Sequence, residues 1–260
     1  MNHCFSFNYM KYITLLLILS VVIYYFQTNP TFIQTIATDT PTQNELPIYC
    51  VDTEQSVIAL TFDSAWGTED LDEILAILKK HNAPATFFVT GQWVKDNPKA
   101  ILSISAAGHE LGNHGMNHKH MPNLSETDMI QEIKECHDEV LKLTGQEMHM
   151  FRAPYSDWNE TVVKIAHSLD YMSINQSVDS LDWKDYGVNA IIDTVCNHKN
   201  LENGSIILLH NGSAYTKDAL DTMLTNLENQ GYSFVLVSNL IYKTDYSLDH
   251  TGKQFSNKKE

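Results

Sequence analysis

The stretch Ile58-Ala-Leu-Thr-Phe-Asp63-Ser64-Ala-Trp66-Gly67 decides the fold. It begins with an apolar run rich in β-forming residues and ends abruptly at a carboxylate, which a small hydroxyl residue, an indole and a glycine follow. A strand buried in a parallel sheet has this pattern. In barrels and open sheets of the α/β class, chemistry takes place at the carboxyl ends of such strands. The stretch therefore predicts a buried strand that presents Asp63 to a functional site.

The rest of the body alternates short apolar runs with amphipathic segments. This alternation predicts βαβ units and a parallel sheet. About seven such units without an internal break predict one irregular, barrel-like domain over residues 46–243, with a doubly wound open sheet as the alternative. The polar residues 244–260 are expected to be a loose tail. The predicted helices are 69–81, 93–107, 125–145, 160–169, 189–199 and 217–229, and the further strands are 85–89, 109–113, 171–174, 205–209 and 233–237.

Composition bounds the class of protein and its partners. The chain has 260 residues, of which 43% are hydrophobic, so a substantial core is expected. Its net charge of −15 argues against a nucleic-acid partner held by a basic surface. The cysteines, at positions 4, 50, 136 and 196, include no C-x-x-C pair and predict neither a disulfide framework nor a cysteine metal site. Cys136 lies on an apolar helical face and is expected in the core.

The amino terminus predicts export. Lys11 precedes an apolar run of about fifteen residues, 12–26, which lies between the length of a signal-peptide core and that of a straight membrane span. We interpret residues 1–26 as an uncleaved signal-anchor helix that leaves the body outside the cell. Secretion after signal cleavage is the alternative. The polar, Thr-rich residues 27–45 are interpreted as a linker.

Two histidines four residues apart, His114 and His118, could face one metal ion from a helical turn. Such a pair also arises by chance in a chain with 12 histidines. A third imidazole, His120, is equally compatible with an ordinary surface position.

Further polar residues follow apolar runs, and each has a structural alternative. Asp63 is a candidate general base or else the N-cap of the next helix. Arg152 could hold a carboxylate or form a structural ion pair. The turn at Tyr155 could direct a backbone N–H at an oxyanion or be a plain turn. Asp182 could orient a histidine or close an Asx-turn. His210, at the end of a strand, could be a catalytic acid or a packed side chain.

Together these segments resemble the polysaccharide deacetylases of the NodB-homology type, carbohydrate esterase family 4. The T-F-D-D motif of that family is matched by Thr61-Phe62-Asp63-Ser64 and its H-[ST]-x-x-H motif by His114 to His118, with Gly115 in the second place. The R-x-P-[YF] motif is matched fully by Arg152, Pro154 and Tyr155. The D-x-x-D-W type segment corresponds to residues 179–183, and L-x-H to residues 208–210.

The resemblance implies an irregular (β/α)7–8 barrel that removes N-acetyl groups from an amino sugar. By analogy with the family, Asp63 is the general base and Arg152 fixes it. His114 and His118 hold a divalent ion, zinc first and cobalt as an alternative. The resemblance also implies that the Tyr155 N–H contacts the oxyanion and that His210 protonates the leaving amine. Asp182 would orient His210. Trp183 and Leu208 would line a pocket for the acetate.

Ser64 departs from the family pattern, since the second aspartate of T-F-D-D is the usual third metal ligand. A hydroxyl binds zinc more weakly than a carboxylate does. The third ligand could be Ser64 itself, Asp70 or Glu69 just downstream, or water, or the metal could be lost. The Asp-x-x-Trp-Gly form also resembles a subset of the family found in sporulating Gram-positive bacteria.

Three functions remain open from the sequence. The first is a membrane-anchored, metal-dependent deacetylase of a wall or spore glycan, with N-acetylglucosamine of peptidoglycan as the preferred substrate. The second is a non-catalytic glycan-binding or morphogenetic protein on the same fold. The third is an O-acetyl esterase that acts on xylan-like polymers.

Overall fold

The computed structural model describes residues 45–258. The predicted anchor, 1–26, and all but the last residue of the predicted linker lie outside the described residues. Within 45–258, no helix is both long enough and apolar enough to cross a membrane.

A curled sheet of parallel strands forms the body of the domain. Its strand order is β6-β5-β4-β3-β2-β8-β7, and a further strand, β9, pairs with the amino end of β2. The edge strands β6 and β7 are consecutive in the chain, so the order around the sheet follows the order along the chain, as in a barrel and unlike a doubly wound sheet. These strands are β2 (Val57–Ser64), β3 (Ala85–Val89), β4 (Glu110–Asn113), β5 (Met150–Phe151), β6 (Met172–Ser173), β7 (Val178–Asp179), β8 (Ile206–His210) and β9 (Ser233–Val235).

Helices connect the strands much as the sequence predicts, with two exceptions. A short helix that was not predicted begins at Val237, the last residue of the predicted strand 233–237. The segment predicted as a single helix over 93–107 is two helices, because Pro98 starts the second one and disfavours a helical conformation at the residue before it. The helices are α1 (Leu71–Lys80), α2 (Gly91–Asp96), α3 (Pro98–Ala106), α4 (Glu126–Thr144), α5 (Glu160–Ser168), α6 (Val188–Cys196), α7 (Thr216–Asn229) and α8 (Val237–Leu240).

Strand β2 shows how the sheet separates core from site. Its outward side chains, Ile58, Leu60 and Phe62, are fully buried in the apolar cluster that includes residues of the surrounding helices. On the opposite face, Ala59 belongs to a second apolar cluster, whereas Thr61 and Asp63 belong to neither cluster. The inward face of β2 therefore changes from apolar to charged toward its carboxyl end, where a polar site forms.

The expectation of a loose tail after residue 243 is wrong for most of that segment. Strand β10 (Tyr246–Leu248) pairs antiparallel with β11 (Lys253–Ser256), and β11 pairs in parallel with β1 (Cys50–Val51). The fully buried Gln254 side chain also donates to Tyr242 O at 2.7 Å and accepts from Tyr242 N at 2.9 Å. The segment is polar, yet backbone pairing with a strand some two hundred positions earlier orders it.

Cys136 lies in the core, within the main apolar cluster, as the sequence predicts. Cys50, Cys136 and Cys196 are free and buried. Burial raises the pKa of the Cys136 thiol to about 12. These thiols are therefore protonated packing groups at neutral pH.

Candidate functional site

Two adjacent strands bring Asp63 and His210 together. Strands β2 and β8 are parallel neighbours, and Asp63 is the register partner of His210. The two side chains are 7% and 8% exposed, so each lies at the border between the core and solvent. A candidate base and a candidate acid, 147 positions apart in the chain, thus share one edge of the sheet, as the sequence predicts.

Arg152 fixes the orientation of the Asp63 carboxylate. Its Nη1 donates to Asp63 Oδ1 at 2.7 Å and to Thr61 Oγ1 at 2.9 Å. Burial alone would raise the pKa of Asp63, but the charge of Arg152, with smaller effects of His114 and His210, outweighs it and lowers that pKa. Asp63 is therefore ionised at neutral pH, with one oxygen held and the other directed at the site.

Residues outside the family motifs hold Arg152 in place. Its guanidinium carbon lies 4.2 Å from the centre of the Phe88 ring, and its Nη2 donates to Asn175 O at 3.3 Å. A Cβ at Gly112 would come within 2.5 Å of the Phe88 ring. Gly112 therefore leaves the space that Phe88 needs beneath Arg152.

Asp182 holds His210 through two hydrogen bonds and is itself held by a third, from Thr216. Its oxygens accept from His210 Nδ1 at 2.7 Å, from the His210 backbone N–H at 2.8 Å and from Thr216 Oγ1 at 2.6 Å. Because Nδ1 donates to a carboxylate, Nε2 is the ring atom that faces the site. Burial opposes the charged form of His210, yet the bond to Asp182 and its charge together raise the pKa of the imidazole. The sequence missed Thr216, which no motif marks.

His114 presents a free ring nitrogen to Asp63. Its Nδ1 lies 2.8 Å from Arg152 O, which can only accept, so Nδ1 donates and Nε2 keeps its lone pair. Nε2 lies 3.5 Å from Asp63 Oδ2. Burial is the main cause of a lowered pKa at His114. A neutral imidazole with Nε2 directed into a site is the form that binds metal ions.

His118 lies beside His114, although not on the helical turn that the spacing suggested. Residues 114–118 form a loop in which Gly115 and His118 both have positive φ, at 75° and 53°. The two imidazole rings are 5.0 Å apart between centroids. Burial and the charge of His114 lower the pKa of His118 to about 4. Both imidazoles are therefore neutral at pH 7.

Glu132 on α4 holds this loop, a role that no sequence signal indicated. Its carboxylate accepts from Asn117 N at 2.7 Å, from Asn117 Nδ2 at 2.8 Å and from Lys119 Nζ at 2.8 Å. The Glu132 side chain is almost fully buried. The loop that carries His118 in a left-handed conformation is thus tied to the longest helix of the described chain.

We expect Glu132→Ala to lower the free energy of unfolding by about 1–3 kcal/mol, because it leaves the Asn117 N–H without its acceptor. Urea denaturation followed by circular dichroism measures the change. Glu135→Ala is the matched control, since Glu135 lies exposed on the same helix and its side chain hydrogen-bonds only to Gln131 among the described residues. Equal losses of stability in the two variants would contradict the role of Glu132.

The residues fit a divalent ion in part. His114 and His118 supply two neutral imidazoles, and the Ser64 Oγ is buried without a hydrogen-bond partner in the described chain. Asp70 is already engaged, because both of its oxygens accept from Gly212 N at 2.9 Å. Within 45–258, no three His, Cys, Asp or Glu side chains are grouped so as to hold a metal ion. Asp70 would have to give up its bonds to Gly212 to become a third ligand, and position 64 offers only a hydroxyl.

The candidate substrate-binding residues border the same edge. Tyr155 has a φ of 61°, is exposed, and its backbone N–H has no acceptor within the described chain. Trp183 follows Asp182 and is exposed, whereas Leu208 is buried on β8 and lies outside both apolar clusters. Trp66, the tryptophan of the Asp-x-x-Trp-Gly form, had no predicted role: its indole stacks on the His210 ring at 5.6 Å and meets the His118 ring edge-on at 5.9 Å.

Comparison with known proteins identifies the family. The family model described as polysaccharide deacetylase matches residues 51–174. The peptidoglycan-N-acetylmuramic acid deacetylase PdaA of Bacillus subtilis is 33% identical over 204 residues, which cover 77% of each chain. The chain belongs to the polysaccharide deacetylase family.

Other members of the polysaccharide deacetylase family show how its function varies. A peptidoglycan-N-acetylglucosamine deacetylase of Bacillus cereus is 34% identical, over 74% of this chain and 91% of that protein. A solved CE4 family pseudoenzyme from Bacillus anthracis has a TM-score of 0.73 and 34% identity, over 77% of this chain and 71% of that one. A mutant of that pseudoenzyme with restored enzymatic activity has the same TM-score and 36% identity. The resemblance seen in the motifs is confirmed, and both active and inactive proteins share this fold.

Proposed function

We propose that this chain is a hydrolase that removes N-acetyl groups from amino sugars of peptidoglycan. The observation that carries the proposal is the pairing of Asp63 with His210 on adjacent strands, each held by its own buried partner, Arg152 and Asp182. Relatives named as peptidoglycan deacetylases support the class of reaction and of substrate. Export of the domain, suggested by residues 12–26, fits a glycan that lies outside the cell.

Amide hydrolysis needs a water that loses a proton as it attacks. Asp63 is ionised, and its Oδ2 is not held by Arg152, so this oxygen is placed to accept that proton. Arg152 keeps the carboxylate in one orientation, which preserves the direction of attack. Thr61, which donates to Ile207 O at 2.6 Å, completes the support beneath this base.

The leaving nitrogen of an amide must gain a proton before it departs. His210 is suited to donate it from Nε2, since Asp182 accepts the Nδ1 proton and stabilises the imidazolium. The indole of Trp66 covers one face of the ring and limits its contact with water. The acid is thus held on the strand next to that of the base.

The acetyl oxygen gains charge when water attacks. The backbone N–H of Tyr155, which has no other acceptor, can donate to it. A divalent ion held by His114 and His118 would act as a Lewis acid on the same carbonyl. The carboxylate that is missing at position 64 makes retention of this ion the weakest part of the site.

Acetate release tests the proposal. Purified chain is incubated with peptide-free peptidoglycan and with chitotetraose, with zinc or cobalt added, and free acetate is measured. The proposal expects acetate from at least one of the two glycans. Absence of acetate from both, with both metals, would contradict it.

A second function, glycan binding without turnover, is favoured by one observation. Position 64 carries a buried hydroxyl rather than a carboxylate, and in the described chain no three His, Cys, Asp or Glu side chains are grouped so as to hold a metal ion. The likeness to a pseudoenzyme supports this candidate as well. It predicts that the chain binds peptidoglycan strands but releases no acetate.

Ser64→Asp, compared with the wild type, separates the two functions. The added carboxylate is expected to raise zinc affinity by about 10–100-fold under either function, as a direct ligand would. Under the deacetylase proposal the wild type already releases acetate at saturating zinc, and the variant raises the rate at low zinc concentration. Without zinc the variant is expected to be less stable than the wild type, because it buries an unpaired charge. Isothermal titration with zinc, thermal melting and acetate release measure these effects. Acetate released by the variant alone would favour the non-catalytic function.

A further inference from the structure

The loop between β7 and α6 leaves the sheet beside the candidate acid. In this loop the Asp182 side chain turns inward to His210, whereas Trp183 and Lys184, the next two residues, are exposed. Leu181, Asp185 and Gly187 have positive φ, at 55°, 53° and 96°. Residues 183–186 therefore form an exposed tight turn beside His210, the residue proposed to protonate the leaving nitrogen.

Exposed aromatic side chains concentrate around this edge. Five of the six exposed large hydrophobic side chains in the described residues lie in loops that follow the carboxyl ends of β2, β5, β7 and β8, and the sixth is Leu102. Aromatic rings expose a flat apolar face with a polar rim, and such a cluster on the surface marks a binding site. The five are Trp66, Tyr155, Trp183, Tyr186 and Tyr215.

Lys184 differs from the other cations at this edge because no carboxylate neutralises it. Arg152 pairs with Asp63, Lys119 with Glu132, and Lys217 with Glu73. Lys184 makes no ion pair within residues 45–258, and its recorded contacts are with rings: Nζ lies 4.8 Å from the Trp183 centroid and 6.0 Å from that of Tyr186. In a chain of net charge −15, this is a local positive site available to an anion.

The chemistry of this site favours a carboxylate. The rings of Trp183 and Tyr186 displace water from one side of the ammonium group, which strengthens its attraction to an anion. A neutral sugar hydroxyl would gain only an ordinary hydrogen bond to Lys184, whereas a carboxylate would gain a charge-assisted one. The aromatic faces can meanwhile stack on the pyranose ring that bears the acid group.

We propose that Trp183, Lys184 and Tyr186 form a subsite for an acidic sugar residue, so that the chain prefers glycans that carry a carboxylate on or next to the acetylated sugar. The inference rests on the proposed function for the identity of the glycan. In peptidoglycan the carboxylate belongs either to the lactyl ether of muramic acid or to the peptide attached to it.

Glycan binding tests the subsite without any need for turnover. The full chain is titrated calorimetrically with four ligands. They are neutral chitotetraose, a peptide-free tetrasaccharide of alternating N-acetylglucosamine and N-acetylmuramic acid, the same tetrasaccharide with its lactyl carboxylates reduced to alcohols, and the tetrasaccharide with its stem peptides attached. The readout is the ratio of the Kd for the neutral ligand to the Kd for the acidic ligand. Lys184→Met is compared with Lys199→Met, a lysine that is exposed on the turn preceding β8, at the other end of the sheet.

We expect the preference for the acidic tetrasaccharide to fall roughly tenfold in Lys184→Met, to persist in Lys184→Arg and in Lys199→Met, and to be absent with the reduced ligand. A preference seen only when the peptide is left on the glycan would assign the carboxylate to the peptide and would still support the subsite. Equal ratios for wild type, Lys184→Met and Lys199→Met would overturn it. Because the readout is binding, lack of acetate release refutes the proposed function and leaves this result intact.

Discussion

Asp63→Asn is expected to lower acetate release by about 10²–10⁴-fold, because it removes the oxygen that accepts the proton of the attacking water. Asparagine has the same shape, so it keeps the space that Asp63 fills but carries no charge. A general base contributes to the rate and little to ground-state binding. The expected loss is therefore in kcat, whereas the Kd for the glycan changes little.

The same substitution is expected to destabilise the fold. Arg152 is 1% exposed and would lose its buried carboxylate partner, a change that costs about 3–5 kcal/mol in comparable buried pairs. Thermal melting identifies the temperature at which the variant is folded, and kinetics are measured below it. Asp193→Asn serves as the control, since Asp193 lies exposed on α6, where its side chain bonds only Asn197 among described residues. Full activity in a folded Asp63→Asn variant would rule out Asp63 as the base.

Asp182→Asn is expected to change both the level of activity and its dependence on pH. His210 must be protonated to act as an acid, and its raised pKa keeps it so at a higher pH than an ordinary histidine. Without the carboxylate that pKa falls, and the alkaline limb of kcat/KM moves to lower pH. The amide of asparagine would also donate to Nδ1 and favour the neutral Nε2–H tautomer, which is a weak acid. We expect a loss of about 10²–10⁴-fold at neutral pH.

The free energy of unfolding should also depend on pH, because the pKa of His210 is raised in the folded state. A group whose folded pKa is raised stabilises the fold fully below its unfolded pKa, which is 6.5 for histidine, and loses that contribution as pH rises through the folded pKa. The wild type should therefore lose this contribution on the alkaline side, and Asp182→Asn should not. Urea unfolding between pH 5 and pH 9 measures this contribution to the free energy of unfolding. Parallel curves for the two proteins, together with an unmoved alkaline limb, would show that Asp182 does not set the pKa of His210.

The sequence predicted the parts of the site that strand periodicity controls. Asp63 and His210 each end an apolar run, and parallel strands bring their carboxyl ends to one edge, so their proximity followed from the pattern. The family motifs added Arg152, His114 and Asp182, whose contacts with these two residues the structure provides. Here local pattern and long-range topology agree.

Other features depend on contacts that no local pattern encodes. Glu132 lies on the buried side of an otherwise ordinary amphipathic helix, and only the fold shows that it holds the loop of His118. Strands β10 and β11 are polar segments that pair with each other, and β11 pairs with the distant β1. The conformation of residues 114–118 is also a product of the fold, because His spacing of four is compatible with a loop as well as with a helical turn.

The pH profile of acetate release from a defined amino-sugar oligosaccharide, measured with zinc or cobalt present, bears most directly on the central claim. That claim is that an ionised Asp63 and a protonated His210, side by side at one edge of the sheet, hydrolyse an N-acetyl group. It predicts a bell-shaped kcat/KM whose alkaline limb moves to lower pH in Asp182→Asn and whose height collapses in Asp63→Asn. Glycan that binds but yields no acetate at any pH, or a profile that both substitutions leave unchanged, would contradict it.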